Sequence, residues 1–233
     1  MKQTKRGYVS GDEKEFGGDE LEKLRKAAKH IRYLINEGYA VKNASVFVGN
    51  HFLLSERQRL ALTRSISTEA QLSLRREKEC RLRQLRGQTV HIDGFNTIIT
   101  LEIALSASLL LQCMDGTIRD LAGLRGTYRL IDKTEPAIRL MAEKLKQAEI
   151  KKAVFYLDAP VSNSGRLKGL ITEIWSNYET ELEVDVRRDV DRTLYGKHRV
   201  ITSDAIILDQ CKSWFNLTAL CLEETNGTPV KVW

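Results

Sequence analysis

The chain has 233 residues, 42% of them hydrophobic, which is enough for one sizeable core and excludes a wholly disordered protein. It contains no apolar run of the roughly 18 residues that a membrane span needs, and its first residues lack the apolar segment of a signal peptide. We therefore expect a cytoplasmic protein without a membrane partner. The four cysteines show no CxxC spacing and the four histidines are scattered, which argues against a zinc site and against a disulfide framework.

The formal net charge of +6 is unevenly distributed. Residues 1–86 hold 19 Lys and Arg against 11 Asp and Glu, a net charge of +8, whereas the remaining residues hold 18 against 20, a net charge of −2. Such asymmetry is typical of a region that meets a polyanion, and equally of a solvated helical surface. Charge alone does not decide between these two interpretations.

The chain begins with a polar segment and an amphipathic helix. Residues 1–18 lack hydrophobic periodicity, which predicts a flexible tail. From Asp19, a candidate N-cap, apolar residues recur at helical spacing, and Gly38 is expected to end the helix.

Two more helices are predicted before the character of the sequence changes. One begins near Ser55, and a longer one runs from about Thr68 to Leu85. The middle of the longer helix, "RREKECRLR", has too few apolar residues for a buried face and is expected to be solvated or to lie along something charged. Residues 19–86 are therefore interpreted as a small, basic, mainly helical domain.

Residues 87–233 alternate strand-like runs with helical patterns. A helix is predicted at "EPAIRLMAEKLKQAEI", where Pro136 sits in the first turn after a Thr134 cap. This alternation predicts an α/β domain with a mostly parallel sheet. The expected strands lie at residues 89–93, 152–160, 198–204 and 217–224.

Each of the three main strands ends in an aspartate: Asp93, Asp158 and Asp204. The carboxyl ends of parallel strands line one edge of a sheet, so these carboxylates are expected to converge. Converging carboxylates repel one another and raise each other's pKa, which favours a divalent cation between them. Oxygen ligands without His or Cys select Mg²⁺ or Mn²⁺ over zinc. Helix caps, or salt bridges to Arg125 or Arg166, are the alternative roles for these aspartates.

Further carboxylates compete for a place in this site. Asp191 begins a short predicted helix that leads into the last strand, where it is a candidate fourth ligand, and Asp189 is its competitor. Asp115, Asp120 and Glu102 are weaker candidates, because "CMDGTIRD" is typical of a turn and Glu102 belongs to a helix face.

The motifs "HIDGFNTI", "FYLDA" and "DRTL" followed by "VITSD" resemble, in the same order, the acidic motifs of the PIN and NYN nuclease superfamily. The resemblance covers roughly residues 88–224 and not the basic region before them. The whole chain also resembles a prokaryotic family of unknown function in which a small helical domain precedes a PIN-like domain.

The resemblance implies a PIN-like, Rossmann-like three-layer fold and hydrolysis of RNA phosphodiesters with Mg²⁺ or Mn²⁺. By position, Asp93, Asp191 and Asp204 match the acidic pocket of the superfamily best, Asp158 matches more loosely, and Asn96 matches the polar residue after the first strand. The resemblance also implies a homodimer. The sequence departs from many NYN proteins in lacking a second acidic residue two positions after Asp204.

An RNA substrate also requires contacts to its phosphates. Glycine-bearing loops that open helices offer backbone N–H groups to an anion, and the basic helical region would attract RNA by its field. The candidate nucleic-acid contacts are Arg125, Arg129, Ser164, Arg166, Lys168, Arg75, Arg76 and Arg83.

Three functions are compatible with these patterns. The first is a metal-dependent ribonuclease whose catalytic and metal-binding residues are Asp93, Asp158, Asp191 and Asp204, with Asn96 beside them. The second is a non-catalytic nucleic-acid- or nucleotide-binding protein with the same fold. The third, another Mg²⁺-dependent phosphotransfer enzyme, is less favoured because neither GxxxxGK[ST] nor GxGxxG occurs.

Overall fold

The computed structural model describes residues 4–123 and 126–233. Its strands are β1 (Thr89–Asp93), β2 (Leu110–Gln112), β3 (Ile118–Asp120), β4 (Lys152–Asp158), β5 (Glu181–Arg187) and β6 (Val200–Ile201). Its α-helices are α1 (Asp12–Glu15), α2 (Gly18–Asn36), α3 (Val41–His51), α4 (Glu56–Ser65), α5 (Glu69–Lys78), α6 (Gly94–Leu105), α7 (Thr134–Gln147), α8 (Ser164–Trp175), α9 (Val190–Leu194), α10 (Ala205–Gln210) and α11 (Leu217–Leu222). A 3₁₀ turn covers Leu82–Gln84. None of the helices described is long and apolar enough to span a membrane.

A four-stranded sheet in the order β5-β4-β1-β6 forms the centre of the second part of the chain. All three strand pairings are parallel, and β1 lies between β4 and β6. Asp93 pairs in register with Tyr156, so Asp158 lies two residues further along β4 at the same edge of the sheet. The mixed α/β class and the mostly parallel sheet are therefore confirmed. The strand expected at residues 198–204 is shorter, Val200–Ile201, and Asp204 lies beyond its end as the N-cap of α10.

Helices cover both faces of the sheet, and successive side chains of each strand point to opposite faces. Phe155 and Leu157 point into the main core with side chains of α6, α7, α8 and α11. Val154 and Tyr156 point to the opposite face, where they pack with side chains of α9 and α10. Burial on both faces explains why β4 is an almost continuous apolar run rather than an alternating one.

Gly94 allows α6 to start directly at the end of β1. A Cβ atom at this position would lie 2.9 Å from the carbonyl oxygen of Tyr156 and 2.5 Å from a methyl carbon of Leu157, both on the neighbouring strand. Only a residue without a side chain permits this close approach of helix and strand. The glycine of "HIDGFN" thus serves to bring Asn96 and the first turn of α6 next to the sheet edge.

The helical region is not an isolated arm. Buried side chains of α2, α3 and α4 share a core with Leu111, Cys113 and Leu121 of the β2–β3 hairpin and with Val232 near the C-terminus. All four cysteines are free thiols. The helical region therefore packs directly against the part of the chain that carries the sheet.

Residues 4–18 differ from the predicted flexible tail. Arg6 forms a 2.5 Å ion pair with the buried Glu102, and Phe16 is buried in the helical core. A polar segment can therefore be ordered. Here Arg6 pairs with Glu102, a carboxylate about a hundred positions away whose charge would be unfavourable in the interior without a cation.

Several secondary-structure predictions were wrong. The helix expected to reach Leu85 ends at Lys78, where Glu79 is extended and forms a β-bridge with Trp214. The expected strand at residues 217–224 is helix α11, and the fourth strand of the sheet is instead Glu181–Arg187. Asp19 is not the N-cap of α2, since Gly17 occupies that position, and Thr134 is not the N-cap of α7, since Lys133 occupies that one.

Three other boundaries agree with prediction. Ser55 and Thr68 form capping boxes with Gln58 and Gln71, and α2 ends two residues before Gly38. Side-chain oxygens that accept the free N–H groups of a first helical turn explain why these two starts could be recognised in the sequence.

Candidate active site

A cleft of about 350 Å³ opens at the carboxyl edge of the sheet. We call it the acidic cleft, because five of its ten lining residues are aspartates. The lining residues are Arg64, Asp93, Phe95, Asn96, Ile99, Asp120, Gly123, Asp158, Asp191 and Asp204. The four predicted metal-ligand aspartates and Asn96 therefore all face one space.

Asp93 forms the floor of the acidic cleft. It occupies the N-cap position of α6, yet its side chain makes no capping hydrogen bond, and only 6% of the residue is exposed. Its carboxylate instead accepts a 2.8 Å hydrogen bond from the hydroxyl of Thr202. Burial raises the pKa of Asp93 to about 7; the Thr202 hydrogen bond opposes this rise, and the charges of Asp204, Asp158 and Asp191 add to it.

Asp204 combines two roles. One carboxylate oxygen, Oδ1, accepts hydrogen bonds from the backbone N–H groups of Ile206 and Ile207 and so caps α10. The capping role that the sequence left open is therefore real for this residue. The second oxygen, Oδ2, makes no hydrogen bond to any residue that the structure describes, and Asp204 still lines the cleft.

Asp158 and Asp191 are the more accessible carboxylates. Within residues 4–123 and 126–233, neither side chain accepts a hydrogen bond from another residue or pairs with a Lys or Arg. Burial raises the pKa of Asp158, and the negative charge of Asp191 raises it further. Burial and the charge of Asp204 act in the same direction on the pKa of Asp191. Asp189, the competitor of Asp191, is exposed, pairs with Arg187 at 3.5 Å and does not line the cleft.

Asn96 holds the turn that carries Asp204. Its amide oxygen accepts hydrogen bonds from the backbone N–H of Ser203 at 2.9 Å and from the Ser203 hydroxyl at 3.0 Å. Because a backbone N–H can only donate, this contact determines which end of the amide faces the turn. The NH₂ group of Asn96 then remains as a donor at the wall of the cleft.

The oxygen atoms that line the cleft are of the kind that a hard divalent cation takes as ligands, but their present positions do not surround one ion. Carboxylate and amide oxygens, without His or Cys, are the ligands of Mg²⁺ and Mn²⁺. None of the four predicted ligands is neutralised by an ion pair with a described residue. In the described part of the chain, however, no group of three or more His, Cys, Asp or Glu side chains is arranged to hold a metal ion as it stands.

Sequence comparison relates this architecture to known proteins. The model of a family described as "Domain of unknown function (DUF5616)" matches residues 82–220, which is more than half of the chain. The chain belongs to this family. A second model, "Protein of unknown function (DUF434)", matches residues 23–78, the helical region.

A relative in an archaeon spans most of the same chain. "Uncharacterized protein MJ0935" of Methanocaldococcus jannaschii is 37% identical over 185 residues, which is 79% of this chain and 88% of the relative. No solved structure matches the chain significantly. The DUF5616 match extends from the 3₁₀ turn into α11 and therefore includes all four predicted ligands.

Arg75 was predicted to contact nucleic acid, but its side chain lies in the protein interior. Only 1% of it is exposed, and its guanidinium bonds to Asp115 and Asp209, each at 2.7 Å. The backbone carbonyl oxygen of Arg75 accepts a hydrogen bond from the indole N–H of Trp214. A buried, fully paired arginine cannot reach a phosphate, so the prediction that Arg75 contacts nucleic acid was wrong.

The remaining predicted nucleic-acid contacts that the structure describes do not line the acidic cleft. Ser164 is half-buried in the first turn of α8, and the loop before it is held to the backbone of Tyr128 through Ser162 and Asn163. Arg125 lies outside the described residues. The exposed members of the predicted set are Arg76, Arg83, Arg129, Arg166 and Lys168.

Two of the weaker acidic candidates are structural. The side chain of Asp115 is fully buried between Arg75 and Arg119; burial tends to raise its pKa, but these cations and hydrogen bonds from Thr117 outweigh that effect and lower it. Glu102 is buried with Arg6 and accepts a 2.7 Å hydrogen bond from the hydroxyl of Tyr128.

Asp120, one of the weaker acidic candidates, lines the cleft, and so does Arg64, which was not predicted as a site residue. Asp120 ends strand β3, so it carries the same strand-end signal as the other aspartates, which its turn-like neighbours obscured. Arg64 lies in the last turn of α4, and nothing local in "RLALTRSI" indicates that it approaches an acidic site.

Proposed function

We propose that this protein is a ribonuclease with a PIN-like fold that uses Mg²⁺ or Mn²⁺ bound in the acidic cleft. One observation carries the proposal: Asp93, Asp158, Asp191 and Asp204 line one cleft at the carboxyl edge of a parallel sheet without an ion pair to any described residue. A buried carboxylate such as Asp93, clustered with others that no cation neutralises, is unfavourable unless a ligand compensates the charge, and such clusters are typical of functional sites. The resemblance to PIN and NYN nucleases supports the choice of reaction.

The four carboxylates differ in how freely they can engage a cation. Asp93 and Asp204 each have one oxygen held by a hydrogen bond, and the other oxygen remains available. Asp158 and Asp191 have no such restraint, so their side chains can rotate into the cleft when a cation binds. Such rotation would bring the carboxylates together around a cation, although no three of them are arranged around one ion as they stand.

A bound Mg²⁺ or Mn²⁺ would supply an activated water and neutralise charge on the phosphate under attack. The chain's own contribution is the placement of the groups around that phosphate. Gly94 and Asn96 hold the end of β1 against the turn after β6, and the Asn96 NH₂ group can donate to a phosphate oxygen. No side chain is required as a nucleophile in such a hydrolysis.

The decisive experiment compares two neighbouring aspartates. Purified protein is incubated with single-stranded and structured RNAs in Mn²⁺ or Mg²⁺, alongside Asp191→Asn and Asp189→Asn variants. Both substitutions remove one negative charge from the same short segment, but only Asp191 lines the cleft. We expect the wild type and Asp189→Asn to cleave, and Asp191→Asn to lose cleavage by about 100-fold or more, in the range for a group that stabilises the transition state. Equal cleavage by the two variants would refute the proposed site.

The second candidate function is a non-catalytic nucleic-acid-binding protein. It is favoured by one observation, namely that no three carboxylates of the described residues are arranged to hold an ion as they stand. This candidate predicts salt-sensitive RNA binding by the wild type and by Asp191→Asn, without cleavage by either in Mn²⁺.

A further inference from the structure

The helical region contributes a cation to the acidic cleft. Among the residues that the structure describes, Arg64 is the one Lys or Arg that lines this cleft. We propose, building on the proposed function, that Arg64 binds a backbone phosphate of the RNA that enters the cleft. The helical region would then complete the substrate site rather than only attract RNA from a distance.

The backbone of Arg64 is anchored to the β2–β3 hairpin. Its carbonyl oxygen accepts a hydrogen bond from the buried guanidinium of Arg119, and the next carbonyl, of Ser65, accepts one from Met114 at 2.9 Å. Arg119 also donates, through Nε, to the carbonyl oxygen of Ser203 at 2.6 Å, one residue before Asp204. A single buried guanidinium therefore connects the segment that carries Arg64 with the turn that carries Asp204.

The side chain of Arg64 is available to a ligand. It is 34% exposed, and Nη1 donates to the carbonyl oxygen of Asp120 at 2.5 Å. Its Nε and Nη2 atoms make no hydrogen bond to a described residue. The carboxylate of Asp120 lies 3.8 Å from Nη1, while its oxygens accept hydrogen bonds from Thr100 and from the N–H of Ala122, so it neutralises Arg64 only in part.

This arrangement differs from that of the structural arginines nearby. The side chains of Arg75 and Arg119 are 1% and 9% exposed, and each is paired directly with Asp115. Arg64 is more exposed, and its guanidinium is held through Nη1 alone, so that Nε and Nη2 form a planar fork of N–H groups. Such a fork matches two oxygens of a phosphate, which is why arginine recurs where phosphates are recognised.

The test measures RNA binding separately from cleavage. The probe is a fluorescein-labelled 2′-O-methyl oligouridine, and its affinity is measured by anisotropy in Ca²⁺ for the wild type, Arg64→Gln, Arg64→Lys and Arg139→Gln. Arg139 is an exposed arginine of α7 outside the cleft, so its substitution removes the same charge elsewhere. We expect Arg64→Gln to bind about 10-fold to 100-fold more weakly, as for the loss of a charge-assisted hydrogen bond, Arg64→Lys to be intermediate, and Arg139→Gln to stay within about 2-fold of the wild type.

A chemical substitution in the probe shows whether the contact is to a phosphate. One linkage at a time is replaced by a neutral methylphosphonate. At the linkage that Arg64 contacts, the wild type should lose affinity and Arg64→Gln should lose little more, because the two changes remove the same interaction. Additive losses at every linkage, or equal losses in Arg64→Gln and Arg139→Gln, would overturn the proposal. If Arg64→Gln is unstable, the same scan on Arg64→Lys decides.

The outcomes separate this inference from the proposed function. Arg64-dependent binding by a protein that does not cleave RNA in Mn²⁺ would reject the nuclease and retain the phosphate contact. Cleavage and binding unaffected by Arg64→Gln would retain the nuclease and reject the contact. A wild type that neither binds nor cleaves RNA would reject both.

Discussion

The hydroxyl of Thr202 donates a 2.8 Å hydrogen bond to the carboxylate of Asp93, joining the ends of two neighbouring parallel strands. This contact stabilises the ionised form of Asp93, but burial outweighs it and raises the pKa to about 7 from an ordinary value of 3.8. The ionised form of Asp93, at the floor of the acidic cleft, is therefore higher in free energy in the folded protein than in water.

We expect ionisation of Asp93 to make the metal-free protein less stable as the pH rises. A group whose pKa is raised on folding contributes its full stabilisation below the unfolded pKa and loses it as the pH rises through the folded pKa. We therefore expect Asp93→Asn to match the wild type near pH 4 and to exceed it at pH 8 by on the order of 4 kcal/mol in the free energy of unfolding. Urea denaturation in EDTA at both pH values measures the difference. An equal gain for Asp189→Asn would attribute it to overall charge.

Mn²⁺ should stabilise the protein through the same carboxylates. A ligand that binds only the folded state adds about 1.4 kcal/mol for each tenfold increase of its concentration above the dissociation constant. We expect 1 mM Mn²⁺ to raise the melting temperature of the wild type and of Asp189→Asn, and to have less effect on Asp158→Asn and Asp191→Asn. The rise should shrink below pH 7, because protons compete for Asp93. Melting curves that respond equally in all four proteins would exclude these ligands.

Arg75 should be important for stability and unimportant for RNA. Replacing it by Met leaves the buried Asp115 with less compensation, and removing one partner from a buried ion pair costs about 3 to 5 kcal/mol. The matched substitution Arg76→Met, at the exposed neighbouring position, should cost less than about 1 kcal/mol. Denaturant unfolding distinguishes the two residues, and similar losses would contradict the role assigned to Arg75.

Arg76 and Arg83 remain candidate phosphate contacts because both are exposed. If they bind single-stranded RNA, neutralising both should lower the dependence of log affinity on log salt concentration by about 0.7 for each phosphate that an arginine no longer neutralises. Binding titrations between 50 and 300 mM KCl measure this slope, with Arg139→Gln as the charge-matched control. An unchanged slope would mean that this part of the helical region is only solvated.

The carboxyl edge of the sheet could be located from sequence because its signal is local and repeated. Asp93, Asp158 and Asp204 each follow an apolar run, and parallel strands necessarily place such positions at one edge. Residues 217–224 were harder, because a six-residue apolar run has the same composition in a buried strand and in a short buried helix. The distinction was made by packing, since Leu217 and Cys221 lie in the main core against the helices.

The sequence by itself determined the α/β class, the parallel sheet and which aspartates could meet, because hydrophobic periodicity and strand ends are local properties. Only the tertiary structure decided what each charged side chain does. Arg75 and Arg64 both occur in basic helices, yet one is buried against Asp209, 134 positions away, and the other faces the acidic cleft. The environment of a charge depends on the partners that folding brings to it, and those partners are distant in sequence.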